Sequence, residues 1–374
     1  MRCVEDTPFY SRKLGSLPKG CEMCVKGEKL VLYITGLCPR SCWYCPLSDK
    51  RKDKDVIYAN EWKIEDMKQM LEEANLTEAK GAGITGGDPL VKIDRTVEYI
   101  KFLKKKFGKN FHIHIYTIFV LATDENLKKL YDAGLDEIRF HPDFELKEQW
   151  SRIDRALKYD WEVGLEIPGI PMNKKEIFEM IDFFEGKVKF LNVNELEVAE
   201  RNMDDMEKFG YETKTDISHG ILGSEEFAEE LMEYCRKKDM NVHFCTSKLK
   251  DKVQMQNRLK RRAKNVASKF DIQTDEGLLL RGVIYLKELV PGVDFKKKLE
   301  IIDRDEFIKR LNETKEFLED EGLDILVDEI KLRLISYPEH VEQFAEELKK
   351  LDLVPAIVEE DPTVEAFELN RDFL

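Results

Sequence analysis

A chain of 374 residues exceeds what one hydrophobic core fills comfortably, since cores stop growing near ~250–300 residues, and two domains are expected. Hydrophobic residues make up 42% and charged residues 36%, a globular composition with no apolar run of about 18 residues and no signal-like stretch after Met1, which predicts a cytoplasmic protein with no membrane partner. A formal charge of −14 argues against non-specific coating of nucleic acid, and the Lys- and Glu-rich, Gln-poor usage is similar to that of chains from heat-loving organisms.

Residues 1–28 form a cysteine-containing N-terminal extension. From Lys29 a short apolar run followed by an amphipathic stretch recurs six times, the pattern of βα units on a parallel sheet. Strands are expected at Leu30 to Thr35, Gly81 to Thr85, His112 to Tyr116, Glu137 to Phe140, Glu162 to Ile167 and Phe190 to Asn194. Helices are expected at Glu61 to Ala74, Asp94 to Phe107, Asp124 to Ala133, Lys147 to Lys158 and Lys174 to Glu185, with Asp124 as a cap and Gly134 as a left-handed stop. Residues 29–200 thus read as an α/β core.

Residues 201–267 read as a helical extension: a helix from Glu225 to Lys237, a strand-like Asn241 to Phe244 that could extend the core, and a basic helix from about Lys248 to Ala267. Residues 268–374 read as a small α+β domain. It has a hairpin around Asp275-Glu276-Gly277, a helix, a strand at Ile325 to Ser336, a helix at Glu339 to Leu351 and a strand at Val354 to Val358.

Eight cysteines in a reducing compartment point to metal ligands rather than disulfides, and five of them crowd between Cys21 and Cys45. Cys38, Cys42 and Cys45 follow the first strand directly, at the carboxyl end of the sheet where such folds place their sites. Soft thiolates suit zinc or iron–sulfur clusters, and a structural site wants a fourth ligand. The local run stops at three, which leaves one metal position open for chemistry. The competing reading is a zinc ribbon that combines Cys21 and Cys24 with two of the triplet.

The Cys-x3-Cys-x2-Cys spacing, with Tyr44 before the last cysteine, resembles the signature of the radical S-adenosylmethionine (SAM) superfamily, and within it archaeal relatives of pyruvate formate-lyase activating enzyme. The resemblance implies a partial (βα)6 TIM-like barrel and a [4Fe-4S] cluster on Cys38, Cys42 and Cys45 as the catalytic centre. It also implies a reducing electron donor and reductive cleavage of SAM to methionine and a 5′-deoxyadenosyl radical that abstracts hydrogen from substrate. Gly86-Gly87-Asp88 looks like the family's glycine-glycine-acid motif. On that reading Tyr44 belongs to the cofactor site, the glycines let backbone approach the methionine end, and the Asp88 carboxylate pairs with its ammonium. Later strand ends offer His141, Glu166, and Asn192 or Asn194 to ribose and adenine, and Thr117, Arg139, Glu195 and Glu197 to substrate.

Cys21-x2-Cys24, with Cys245 and a fourth ligand from Cys3, Cys235 or His243, suggests a second Fe–S cluster or a zinc or iron site. The basic run from Lys248 to Lys264 admits RNA as a ligand. The substrate is therefore open between protein, RNA and small molecule, with modification of tRNA as one alternative and a non-catalytic Fe–S or zinc scaffold as another. The long C-terminal part departs from minimal activating enzymes.

Overall fold

The computed structural model describes residues 2–215 and 218–374, so Met1, Asp216 and Ile217 lie outside the described residues. The chain forms two compact units, divided between Arg258 and Leu259.

The first unit opens with a hairpin of β1 (Val4–Asp6) and β2 (Arg12–Leu14), followed by the short helix α1 (Lys19–Val25). Next come β3 (Lys29–Tyr33), a small hairpin of β4 (Tyr58–Ala59) and β5 (Trp62–Lys63), α2 (Met67–Leu76), β6 (Gly81–Thr85), α3 (Ile93–Phe107), β7 (His112–Thr117), α4 (Asp124–Ala133) and β8 (Glu137–Phe140). The chain continues through α5 (Ile153–Ala156), β9 (Glu162–Pro168), α6 (Lys174–Phe184), β10 (Phe190–Asn194), α7 (Met203–Lys208), α8 (Ser224–Cys235) and β11 (Asn241–Cys245). It then enters α9 (Ser247–Leu249), a π-helical turn over Lys250–Met255, and α10 (Gln256–Val266), whose residues from Leu259 onward belong to the second unit.

Strands β3, β6, β7, β8, β9, β10 and β11 are parallel and neighbour one another in chain order. Among the described residues seven strands are parallel, rather than the expected six, because Asn241–Cys245 pairs in register with Phe190–Asn194. The β1–β2 hairpin covers the outer edge of β11 and the β4–β5 hairpin that of β3, so the sheet is open with β1 and β5 at its edges.

Leu30, Leu32, Ile84, Ile113, Ile115 and Ile138 are fully buried, as expected where parallel strands are covered on both faces. The helices pack through apolar stripes, as in α4, where Leu127, Leu130 and Ala133 are buried. Thr123, not Asp124, caps α4: its hydroxyl accepts from the Asn126 amide, which leaves Asp124 in the first turn. Gly134 closes the helix with φ +94°, the left-handed geometry expected of it.

Two helix expectations shorten. The β4–β5 hairpin occupies the start of Glu61 to Ala74, and α2 begins only after Asp66, whose carboxylate caps it through the Lys68 and Gln69 amides. Lys147 to Lys158 is mostly a 3-10 turn, with true α-helix only over Ile153–Ala156.

The second unit holds β12 (Ile272–Gln273), β13 (Leu279–Leu286), α11 (Phe295–Ile301), α12 (Arg304–Asp320), β14 (Leu326–Asp328), β15 (Arg333–Ser336), α13 (Pro338–Gln343), α14 (Ala345–Lys350), β16 (Leu353–Glu360) and β17 (Glu368–Phe373). These strands make an antiparallel sheet in the order β14-β15-β13-β16-β17, with β12 paired to β13. The single strand expected over Ile325 to Ser336 is two, and the helix expected over Glu339 to Leu351 is also two. Arg333, fully buried, is tied to Asp328, Glu360 and Glu368, an ion network built from residues at the ends of four strands.

Candidate active site

The loop after β3 carries the cysteine triplet and is clasped at its base. Gly36 donates to the Lys54 carbonyl at 2.7 Å, and Asp53 returns a bond to the Gly36 carbonyl at 3.0 Å. Asp55 then locks the clasp: it accepts from Thr35 Oγ1 at 2.9 Å, from Lys92 at 3.0 Å and from both Arg95 Nη atoms at 2.6 and 3.1 Å. The bidentate Arg95 contact holds the Asp55 carboxyl well below the usual carboxylate range.

Above the clasp, Cys38, Cys42 and Cys45 are half-buried free thiols that line one cavity of about 690 Å³. Burial pushes the Cys38 thiol up to about 11 and raises that of Cys42 as well. The intervening aromatics fasten the loop. Trp43 stacks on Tyr211 with centroids 5.9 Å apart and packs on Phe209 at 4.7 Å, while the Asn202 amide donates to the Tyr44 carbonyl at 3.3 Å. Arg40 pairs with Asp143 at 3.0 Å and reaches the His141 carbonyl at 3.4 Å.

Tyr44 and His141 bond to each other. The Tyr44 hydroxyl lies 2.8 Å from His141 Nε2, and His141 Nδ1 lies 2.9 Å from the Glu166 carbonyl, which can only accept. Nδ1 therefore carries the proton and Nε2 accepts from Tyr44. Burial lowers the imidazole to about 4, so the ring is neutral at pH 7 and both nitrogens are taken. His141 lines the cavity by its ring and does not offer it a free nitrogen.

The glycine-glycine-acid turn after β6 also serves the loop. Gly87 donates to the Thr35 carbonyl at 2.8 Å and Asp88 to the Leu37 carbonyl at 2.9 Å. A Cβ on Gly87 would stand 2.5 Å from the Leu37 carbonyl oxygen, and one on Gly86, at φ +157°, would stand 2.4 Å from that of Thr35. The backbone that these glycines admit is thus the base of the cysteine loop.

The Asp88 carboxylate is 1% exposed and is saturated by the Leu90 amide, the Thr117 hydroxyl and the Ile118 amide. It caps its own turn and joins it to β7, rather than standing free for an ammonium. Burial lifts it to about 6.

Deeper in the unit the strand side chains form one polar network. Glu166 accepts from Arg139 at 2.9 Å, Asn192 at 2.7 Å and Asn194 at 2.8 Å. Arg139, 1% exposed, also bonds Glu137 and lies between the Tyr116 and Phe190 rings at 5.4 and 5.2 Å. Of the two asparagines, Asn194 lines the cavity, whereas Asn192 lies beneath Glu166 with its oxygen taken by His243 at 2.6 Å. Thr117, Arg139, Glu195 and Glu197 all reach the cavity wall, Glu195 paired with Lys214 and Glu197 with Lys250.

Half of the basic run in this unit is engaged, while Lys248 and Lys252 stay exposed. Lys250 and Arg258 turn inward onto Glu197 and Glu61, and Lys248 lies 4.1 Å over the Tyr10 ring. Lys29 went unnoticed in the sequence. It is 8% exposed, lines the cavity and has only His114 Nε2, at 3.4 Å, as a hydrogen-bond partner among the described residues. Its one signal was a charge at the head of an apolar strand. Trp43, Asn202, Arg40 and Asp55 were also missed, since their partners are remote in sequence.

Residues 32–144 match the model of the Radical SAM superfamily. The chain is also 43% identical over 340 residues to a protein of Methanocaldococcus jannaschii described as "Putative glycyl-radical enzyme activating enzyme", with 88% of this chain and 89% of that protein covered. The chain belongs to the radical SAM superfamily and is an enzyme, which sets aside the non-catalytic scaffold. Membership implies a [4Fe-4S] cluster and SAM.

Likeness to solved structures is lower. Methylornithine synthase is 15% identical with a TM-score of 0.39, over 56% of this chain and 63% of that one. The radical SAM methyltransferase TsrM of Kitasatospora setae is 11% identical with a TM-score of 0.37, over 55% and 45%. The chain spans less than two thirds of either. No helix of the described residues is long and apolar enough to cross a membrane.

Proposed function

We propose that Cys38, Cys42 and Cys45 hold a [4Fe-4S] cluster with one iron left open, and that the enzyme cleaves SAM reductively there and abstracts hydrogen from a substrate in the cavity. The observation that carries this reading is the convergence of three half-buried, disulfide-free thiols on the wall of a single cavity with the Gly86-Gly87-Asp88 turn. Three soft ligands suit a four-iron cluster with a vacant coordination position, and the cavity has room for a nucleoside-sized molecule. Bound there by the three cysteines, the cluster would relay an electron from an external reductant to the sulfonium of SAM.

The chain's own residues do the rest. Asp88, Thr117 and the clasp at Asp55 fix the cysteine loop, while Tyr44 and His141 hold its far side against β8 and β9. Neutral His141 keeps a charge away from the cavity wall. Glu166, held by Arg139, presents an acceptor toward a ribose, and Asn194 takes the role first given to Asn192. Residues 29–200 are the proposed catalytic core. Its open parallel sheet is read as a partial barrel.

A reducing protein supplies the electron. The relative's description points to a glycine of a partner protein as the substrate, and that relative spans this chain's length including most of its C-terminal part, so a long C-terminal region does not argue against the activating role. With Lys250 and Arg258 committed to ion pairs, RNA is the weaker reading. Anaerobic reconstitution, reduction with dithionite and addition of SAM should yield 5′-deoxyadenosine and methionine. A filled cluster that yields neither would overturn the proposal.

A further inference from the structure

Three other cysteines lie near one another behind the cavity, and of these Cys24 lines it. Cys21 and Cys24 lie one turn apart on α1, and Cys245 ends β11, more than two hundred residues later in the chain. Cys245 lies within electrostatic reach of both, and Val25 packs against it in a small cluster with Leu249. Cys21 and Cys245 are each 6% exposed, Cys24 opens onto the cavity, and none is in a disulfide.

Their placement is not accidental to the packing. Gly20 lets α1 press against the sheet so closely that a Cβ there would stand 2.6 Å from His114 Nδ1 and 2.7 Å from Arg139 Nη2. That contact brings the Cys21 sulfur within 3.5 Å of Arg139 Nη1.

The surroundings ask for negative charge. The Lys29 ammonium is nine-tenths buried beside Cys24 and Cys21, and no carboxylate among the described residues pairs with it. An isolated buried ammonium is costly, and an anionic neighbour removes the cost. Protonated thiols do not supply that charge; metal-bound thiolates do.

We propose that Cys21, Cys24 and Cys245 hold a second iron–sulfur cluster, with Lys29 as its buried counter-charge. A single tetrahedral ion would need sulfurs ~3.8 Å apart, given metal–sulfur bonds of about 2.3 Å. Among the described residues only His112, His114 and Glu137 bring three ligand atoms within 4.8 Å of one another, and no three cysteines do. A multi-iron cluster, whose ligand sulfurs stand further apart, does not carry that requirement.

The fourth ligand is not protein. His243 has Nδ1 on Asn192 and Nε2 toward Ser11, Cys235 is buried on α8 beside Arg2 and Lys238, and Cys3 is exposed on the N-terminal segment.

The inference is independent of SAM cleavage, because iron content reads it directly. The full chain carrying Cys38→Ala, Cys42→Ala and Cys45→Ala together is reconstituted anaerobically with iron and sulfide, and iron, sulfide and Mössbauer spectra are measured. The expected result is about four irons per chain in a cluster spectrum, against about eight in the unaltered protein. Cys24→Ala alone, at a half-exposed position that leaves the core intact, should bring the unaltered protein's count down by about half. A triple variant that folds with an unchanged circular dichroism spectrum yet retains no iron overturns the proposal. So does one that retains a single zinc, or a Cys24→Ala count equal to that of the unaltered protein.

Discussion

The Tyr44 hydroxyl donates to Nε2 of His141 across 2.8 Å, and this bond joins the cysteine loop to the end of β8. Both residues were expected to touch the cofactor, yet each spends its polar group on the other. Tyr44→Phe removes the bond and leaves a neutral acceptor in a buried place, at a cost of about 1 kcal/mol. The larger expected effect is a several-fold faster loss of the 400-nm cluster absorbance in the presence of a chelator. Equal decay rates would remove the bond from the site's architecture.

Two carboxylates beside the loop should respond to pH with opposite signs. Asp55, held low chiefly by Arg95, stabilises the fold above its unfolded value near ~4 and loses that contribution as the pH falls. It is about one-third exposed, so solvent screening limits the effect to about 1 kcal/mol. Asp88, lifted by burial to about 6, favours the fold below ~4 and ceases to do so as the pH rises through 6. Denaturant titrations of Asp88→Asn against the unaltered protein should show a stability difference that shifts in the variant's favour by on the order of 2 kcal/mol from pH 4 to 7. A flat difference would mean that Asp88 titrates normally.

Gly87→Ala places a methyl 2.5 Å from the Leu37 carbonyl and must move the cysteine loop. Cofactor cleavage should fall by more than about tenfold, while global stability changes by only ~1–3 kcal/mol, the usual range for overpacking. Activity that falls only in step with the folded fraction would refute the positional role.

Arg139→Leu should destabilise the first unit by about 3–5 kcal/mol, because Glu137, which is fully buried, loses its charged partner. Adding Glu137→Gln should recover part of that loss in urea denaturation. Without recovery, the pair is not coupled.

The parallel strands were legible because β-branched apolar runs alternate with helical periodicity, and Gly81–Thr85, Glu137–Phe140 and Phe190–Asn194 match residue for residue. The seventh strand was ambiguous because Asn241–Cys245 follows an irregular stretch that broke the repeat. The cysteine triplet and the Gly86-Gly87-Asp88 turn were visible as local motifs. Their supports were not: Asp55 with Arg95, Trp43 with Tyr211 and Asn202 with Tyr44 are pairings that only the folded chain creates. Asn192 and Asn194 sit two apart on one strand and both donate to Glu166, so sequence had no means of telling which of them reaches the cavity.

Assaying Cys42→Ala for 5′-deoxyadenosine tests whether the chemistry resides at the loop of Cys38, Cys42 and Cys45. The variant is reconstituted and reduced beside the unaltered protein and beside Cys235→Ala, a buried cysteine on α8 that lies outside the cavity lining. Product is expected from the unaltered protein and from Cys235→Ala, and none from Cys42→Ala. Product from Cys42→Ala at the unaltered rate would contradict that placement.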